Sequence, residues 1–258
     1  NNTAIELSTL ALNLIKDSEN SELKSKINFI YATYISHCFD DINNSIIFIK
    51  NSINYNNFIQ VSNSFSYLII FYLIRGENLD NILNESEKTV NYLNDDKNTA
   101  SQYLPGLQLI STLKDYNGKI TLYKDSFNEN FLKIFNPKQD LEAIFYYYFC
   151  RSICSVYFND YQNSLKLFEN SENILLLIAK TRLFPEHYFF YSLAITAVFE
   201  KFSSKEKKHY RKILSRNQNN LKNWINNYSS AELNSKANTN SYFHKYLLIF
   251  DVLKTVTI

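Results

Sequence analysis

Two cysteines near the middle of the sequence are the first candidates for a chemical site. Cys150 and Cys154 lie four positions apart, which places both thiols on one face of a helix. Two thiolates could contribute to a metal site, but no nearby CxxC or HxxxH motif supplies the remaining ligands. Because free cysteine packs like a small hydrophobic residue, we interpret both residues as buried and structural.

The adjacent pair His37 and Cys38 has the residue types of a Cys–His nucleophile. Neighbouring residues of a helix point in different directions, so we interpret this pair as structural as well. The sequence also contains neither GxxxxGK[ST] nor GxGxxG, and three isolated glycines cannot form a phosphate-binding loop. We therefore predict no catalytic residues, no bound metal, no cofactor and no enzymatic activity. An enzyme with an unrecognised site is the alternative class.

A basic run covers residues 201–222, KFSSKEKKHYRKILSRNQNNLK, with eight lysines and arginines against one acid, Glu206. Such a run can contact phosphate or an acidic partner, but it is also typical of a solvated helix face. We favour the solvated face because the formal net charge of the whole chain is only +2. The residues of the candidate interaction face are Lys205, Lys208, Arg211 and Lys212.

Polar residues within apolar-rich segments form a third group of candidates. Glu186 and His187 begin one predicted helix, and His244 and Lys245 lie in the last one. Buried charged and imidazole groups need hydrogen-bond partners, so we predict structural polar anchors between stacked helices rather than catalytic residues. The anchor set is Glu186, His187, Trp224, His244 and Lys245.

The composition indicates that long helices position these residues. Only 3 Gly and 3 Pro occur in 258 residues, whereas a β or α/β fold of this size needs many turn glycines. Hydrophobic residues make up 45%, including 20 Tyr and 20 Phe, which is enough for a buried core. Three cysteines are too few for a disulfide framework, and no apolar run reaches the length of a membrane span. We expect a cytoplasmic protein that binds neither nucleic acid nor membrane.

Hydrophobic periodicity and helix-breaking residues predict about a dozen helices. Pro105 and Gly106 predict a kink or a split in the sixth helix, and Gly76 is a natural residue to end the fourth. Residues 114–127 are the least regular part of the sequence. The predicted helices cover residues 3–16, 21–38, 41–54, 58–75, 79–93, 98–113, 128–135, 140–158, 161–179, 185–202, 204–228 and 242–256.

Two predicted helices share one pattern of side-chain sizes: large, small, large and small at relative positions 0, 3, 7 and 10. Small residues at such positions let a partner helix approach closely, and the pattern resembles the second helix of a tetratricopeptide repeat. Any antiparallel helix pair is the alternative, since the preceding helices match the repeat poorly. The residues are Ile42, Ser45, Ile49 and Ser52 in one helix, and Tyr161, Ser164, Phe168 and Ser171 in the other.

These observations predict an all-α fold in which antiparallel helix pairs stack into a tetratricopeptide-like, right-handed superhelical array. We expect residues 1–258 to form a single helical-repeat domain. Within it, sub-units 1–113 and 128–258 would be joined by the irregular residues 114–127.

Several motifs of the C-terminal half resemble a helical region of very large sensor kinases. The matching elements are Glu186-His187-Tyr188, then Asn217-Gln218 with Leu221 and Trp224, and then His244-Lys245-Tyr246; upstream, FNDYQNSLKLFENSE and IRGENLDNIL also fit. The resemblance covers roughly residues 30–256. The loop 229–241 is longer than in that family, and Pro105-Gly106 interrupts a segment that is usually helical.

The sensor kinases of this family carry a Ser/Thr-kinase-like domain, an AAA or STAND-type ATPase, this helical region, a GAF domain and often a histidine kinase. The resemblance implies a cytoplasmic signalling segment, a helical arm that contacts neighbouring domains or a protein or peptide partner. The kinase and ATPase residues of the family lie outside these motifs, so none is assigned here. The alternative is a free-standing tetratricopeptide-like peptide-binding protein, such as a bacterial effector.

Overall fold

The computed structural model describes residues 2–36, 42–53, 58–93, 100–114, 131–178 and 181–232. Ten α-helices make up most of these residues, and no strand occurs among them, which confirms the all-α prediction. The helices are α1 (Asn2–Ile15), α2 (Ser21–Ile30), α3 (Ile42–Ile53), α4 (Phe58–Arg75), α5 (Leu79–Leu93), α6 (Ala100–Lys114), α7 (Leu141–Tyr157), α8 (Tyr161–Leu175), α9 (Leu183–Val198) and α10 (Ser204–Glu232).

Most predicted helices lie within a few residues of these bounds, and three differ in character. The predicted helix 21–38 ends as α-helix at Ile30 and continues as a π-helical segment, Tyr31–Ile35. Pro105 lies inside α6, which is a single helix, so of the predicted kink or split the split does not occur. The predicted short helix 128–135 is a 3₁₀ turn at Phe131–Ile134. In the predicted irregular stretch 114–127, Lys114 is the last residue of α6. Residues 115–127 and the predicted last helix 242–256 lie outside the described residues.

The chain forms two compact units, Asn1–Tyr147 and Tyr148–Ile258. In the first, α2 packs on α3, α3 packs on α4, and α6 contacts both α4 and α5. In the second, α9 packs between α8 and α10. The pairs α2–α3, α3–α4, α8–α9 and α9–α10 bury apolar residues of one helix against the next, as amphipathic helices require.

Helix α4 is the centre of the first unit. Its buried residues run almost continuously from Val61 to Tyr72. By length and composition it is the one helix among the described residues that could cross a membrane, but 61% of this apolar segment is buried inside the protein. Burial of this kind is expected of the core helix of a soluble protein.

Two local signals explain where helices end and begin. Gly76, with φ of 81°, follows α4 and lets Glu77 N–H reach the Tyr72 carbonyl at 2.9 Å, a Schellman motif that confirms the predicted helix end. At the start of α10, Ser203 N–H donates to Glu206 Oε2 at 2.8 Å, and Glu206 N–H donates to Ser203 Oγ at 3.4 Å. This reciprocal capping box holds Glu206, the one acid of the basic run, at the start of the helix.

The predicted small positions of α3 and α8 are all fully buried serines. In α3, Ser45 Oγ lies 2.6 Å from Ser36 Oγ of the preceding segment, and Ser52 Oγ donates to Ser64 Oγ of α4 at 2.6 Å. The first serine therefore contacts the element before the helix, and the second contacts the helix after it.

The same order of contacts occurs in α8. Ser164 Oγ donates to the Ser152 carbonyl of α7 at 3.1 Å, and Ser171 Oγ lies 2.8 Å from Nε2 of His187 in α9. The two helices thus use equivalent positions to join the helices on either side. Sequence spacing alone predicted these positions, because a serine at a helix crossing leaves room for the partner backbone.

Candidate functional site

Helix α10 has one buried face and one charged face. Its buried residues recur at helical spacing and pack it onto the second unit: Tyr210, Ile213, Leu214, Asn217 and Leu221. Tyr210 O–H donates to Glu169 of α8 at 2.9 Å, and Asn217 Nδ2 donates to Ser192 Oγ of α9 at 3.3 Å. The charged face therefore belongs to a helix whose opposite face is held by apolar contacts and hydrogen bonds.

All four residues of the predicted interaction face are exposed. Lys205, Lys208 and Lys212 follow an i, i+3, i+7 spacing, so their side chains leave the helix on one side. Arg211 lies beside them, with its guanidinium carbon 5.4 Å from the centre of the Phe199 ring. Positions 205–212 span about 10 Å of helix axis at 1.5 Å per residue.

Other cations of the basic run are engaged within the fold. Lys207 Nζ lies 2.8 Å from Glu200 Oε2 and also sits over the Phe199 ring. Arg216 pairs with Glu172 of α8. Burial raises the pKa of Glu172, and the charge of Arg216 opposes that shift. Hydrogen bonds from Ser203 lower the pKa of Glu206 and keep this carboxylate at the helix start.

Lys205, Lys208 and Lys212 differ from these engaged cations. Within the part of the chain that the structure describes, none of the three forms an ion pair with a carboxylate. A shallow groove of about 500 Å³ adjoins Lys212 and is lined by charged and neutral residues of α10. The described lining residues are Arg211, Lys212, Ser215, Arg216, Asn219 and Asn220.

The basic face belongs to a chain whose charge is unevenly distributed. Residues 148–258 carry 15 Lys and Arg against 8 Asp and Glu, a formal charge of +7. Residues 1–147 carry 12 against 17, a formal charge of −5. The small net charge of the whole chain therefore hides a strongly basic second unit, which weakens the argument for a merely solvated face.

The predicted polar anchors fall into two groups. Glu186 and His187 are almost completely buried at the start of α9, and Trp224 is half-buried on α10. His244 and Lys245 lie outside the described residues. Both described residues at the start of α9 are therefore buried, and His187 contacts Ser171 of α8.

His187 is surrounded by aromatic rings. The Phe168 ring meets its imidazole edge-on at 5.1 Å between centroids, and Tyr191 does so at 5.9 Å. Burial, with a smaller contribution from the charge of Arg216, lowers the pKa of His187 to about 3. The imidazole is therefore neutral at physiological pH, and its contact with Ser171 joins two helices rather than serving a reactive group.

The two thiols of α7 are buried, as predicted. Burial raises the pKa of the Cys154 thiol to about 11, so the thiol stays protonated and unreactive near neutral pH. No group of three or more metal-ligating residues occurs among the described residues. His37 and Cys38 lie outside them.

Two buried features were not predicted from the sequence. Arg182 lies between the predicted helices 161–179 and 185–202 and is only 2% exposed. In the first unit, Tyr72 O–H donates to Glu85 at 2.5 Å while Lys50 pairs with the same carboxylate at 3.0 Å. Burial, followed by the Glu85 hydrogen bond, raises the pKa of Tyr72 to about 12. The Tyr72, Glu85 and Lys50 side chains come from three different helices, so no local pattern reveals their contact.

One apolar surface is left exposed on the first helix. Leu7, Leu10 and Leu14 follow an i, i+3, i+7 spacing on α1 and are 60%, 53% and 71% exposed. A stripe of this kind is typical of a helix face that packs against another element.

We compared the chain with protein-family models, with curated proteins and with solved structures, and none of the three comparisons found a match.

Proposed function

We propose that this chain is a non-catalytic helical scaffold that uses the exposed face of α10 to contact another protein or a neighbouring domain of its own polypeptide. One observation carries the proposal: Lys205, Lys208 and Lys212 project in a row from a helix whose opposite face is fixed by buried contacts. A rigid helix that presents a row of like charges is suited to recognition, because little order has to be gained on binding.

The chemistry of the buried polar groups supports a non-catalytic role. Catalytic acids and bases need access to a substrate and a pKa near the working pH. His187 is fully buried and neutral, and Cys154 is buried and protonated. Among the described residues, the perturbed groups therefore stabilise helix contacts instead of forming a reactive set.

The order of serine contacts supports a tetratricopeptide-like arrangement of the helices. In α3 and in α8, the first buried serine contacts the element before it and the second contacts the helix after it. This agreement between two distant segments is what a repeat predicts. We propose that the pairs stack as a right-handed superhelical array.

We further propose that the scaffold is the regulatory arm of a cytoplasmic sensor kinase, as the sequence resemblance implies. The exposed leucine stripe of α1 supports an arm, since Leu7, Leu10 and Leu14 need another surface to leave water.

The proposed context is tested by reading the coding sequence on both sides of this chain. We expect a kinase-like and an ATPase module upstream and a GAF domain downstream, in one reading frame. A complete short reading frame would contradict the arm and favour a free-standing peptide-binding protein.

The proposed contact is tested by affinity purification with the chain and with a variant that carries Lys205→Glu, Lys208→Glu and Lys212→Glu. We expect the variant to lose a partner that the unaltered chain retains, while its circular dichroism melt stays unchanged. Equal retention of every partner by both proteins would contradict a role for the α10 face.

A further inference from the structure

The kinds of cation on the exposed face of α10 indicate which partner this face binds. Arginine recognises phosphate through two parallel N–H groups, whereas lysine acts as a compact point charge. Of the two described arginines of the exposed face, Arg216 pairs with Glu172, and the guanidinium of Arg211 lies over the Phe199 ring. The row that projects from the helix consists of lysines, and none of Lys205, Lys208 and Lys212 forms an ion pair within the described residues.

We propose that these three lysines bind an acidic helical segment of a partner protein, with carboxylates at matching intervals of three and four residues. The proposal rests on the proposed function and names the partner class of the same face. A helix with Glu or Asp at i, i+3 and i+7 presents its carboxylates along one side at the same rise as the lysines. One carboxylate can then pair with each ammonium group.

A shallow groove beside Lys212 extends this face. Its described lining includes the neutral side chains of Ser215, Asn219 and Asn220, which can donate and accept hydrogen bonds. Such side chains suit the polar residues that flank acidic positions on a solvated helix.

Nucleic acid and a second copy of this chain fit the face less well. Nucleic acid needs cations along an extended path, whereas the three lysines span only about 10 Å of helix axis. A second copy of this chain would offer the acidic helix α5, but two of its three acids are already paired. Asp80 contacts Lys114 at 2.7 Å, and Glu85 contacts Lys50 at 3.0 Å.

The experiment measures fluorescence anisotropy with four labelled probes. The first is a helical peptide with Glu at i, i+3 and i+7, and the second is the same peptide with Gln at those positions. The third is a phosphoserine peptide, and the fourth is a single-stranded RNA. The proteins are the unaltered chain, K205E/K208E/K212E, and a matched control, K16E/K88E/K138E, which makes the same change in net charge at exposed lysines outside α10.

We expect the Glu peptide to bind the unaltered chain and the matched control alike. We expect K205E/K208E/K212E to bind it at least about tenfold more weakly, since three ion pairs become repulsive contacts. The Gln peptide should bind none of the proteins measurably, and added salt should weaken the Glu complex. If the charge-reversed variant fails to fold, K205Q/K208Q/K212Q replaces it, with a smaller loss expected.

Equal binding of the Glu peptide by all proteins, or no binding at all, would overturn the proposal. Tighter lysine-dependent binding of the phosphoserine peptide would also overturn it, but would leave α10 as a protein-contact face. Tighter lysine-dependent binding of RNA would overturn both this proposal and the proposed function. The four probes therefore distinguish a wrong partner class from a wrong scaffold role.

Discussion

Ser171 Oγ of α8 lies 2.8 Å from Nε2 of His187 in α9, and both residues are fully buried. The equivalent serine of α3, Ser52, donates to Ser64 of α4 at 2.6 Å. In both units, one serine therefore makes a side-chain hydrogen bond to the next helix. The contact in the second unit uses an imidazole, which adds aromatic packing and a dependence on pH.

The His187 imidazole contributes to stability through packing as well as through its hydrogen bond. His187→Ala removes a fully buried ring and leaves Ser171 without this partner, so we expect a loss of about 2–4 kcal/mol of unfolding free energy. Urea denaturation measures the loss. His209→Ala on the exposed side of α10 is the matched control and should change stability by no more than about 0.5 kcal/mol. Equal effects would contradict a structural anchor at His187.

The same residue predicts how stability depends on pH. Burial lowers the pKa of His187 from 6.5 in the unfolded chain to about 3 in the fold, so the unfolded state binds the extra proton between these values. The stabilising contribution is complete above pH 6.5 and is lost as the pH falls toward 3.

Comparison with His187→Gln isolates this effect from the carboxylates, which titrate in both proteins. We expect the stability difference between the two to shrink by about 2 kcal/mol between pH of about 6.5 and about 4.5. Urea unfolding over a pH series measures it. A difference that does not change with pH would show that the imidazole has an ordinary pKa in the fold.

The buried serines of α8 leave room for a neighbouring helix. Ser164→Leu adds bulk where the side chain is fully buried and contacts the Ser152 carbonyl, so we expect a loss of about 2–3 kcal/mol. Gln162→Leu, at an exposed position of the same helix, should be nearly neutral. Thermal melts of the two variants measure both effects. A melting temperature unchanged by Ser164→Leu would contradict close packing at this crossing.

Gly106 in α6 allows the Tyr146 side chain to cross the helix and donate to the Ser66 carbonyl at 2.6 Å. A Cβ at position 106 would overlap the Tyr146 hydroxyl and lie 3.2 Å from Ile69. We expect Gly106→Ala to cost about 1–2 kcal/mol, although alanine favours a helix by up to about 1 kcal/mol. Tyr146→Phe removes the overlapping atom, so the double variant should lose less than the sum of the two single losses. Additive losses in this cycle would contradict a direct conflict.

The helices were predictable because their signals are local. The end of α4 at Gly76 and the buried serines of α3 and α8 follow from residue type and spacing. The π-helical segment Tyr31–Ile35 was missed because one extra residue in a turn hardly alters an apolar pattern. Pro105 was predicted to kink or split α6, and the helix, which contacts α4 and α5, is not split. Tertiary contacts can override the preference of proline against a helix interior.

The candidate site was only partly predictable. The positions of Lys205, Lys208 and Lys212 on one face follow from helical periodicity. Helical periodicity does not show which cations of the run contact other side chains of the fold, because Glu172 and Phe199 belong to other elements. The same limit applies to Arg182, whose burial depends on tertiary packing and not on the polar residues around it.

The central claim is tested most directly by zero-length crosslinking of ammonium groups to carboxylates in the polypeptide that contains this chain, within its source cells. Lys207 with Glu200 at 2.8 Å and Lys26 with Glu22 at 2.6 Å are internal positive controls. The account predicts crosslinks from Lys205, Lys208 or Lys212 to Asp or Glu of another domain or another protein. Efficient crosslinking of both internal pairs, with no such product from the three lysines, would contradict it.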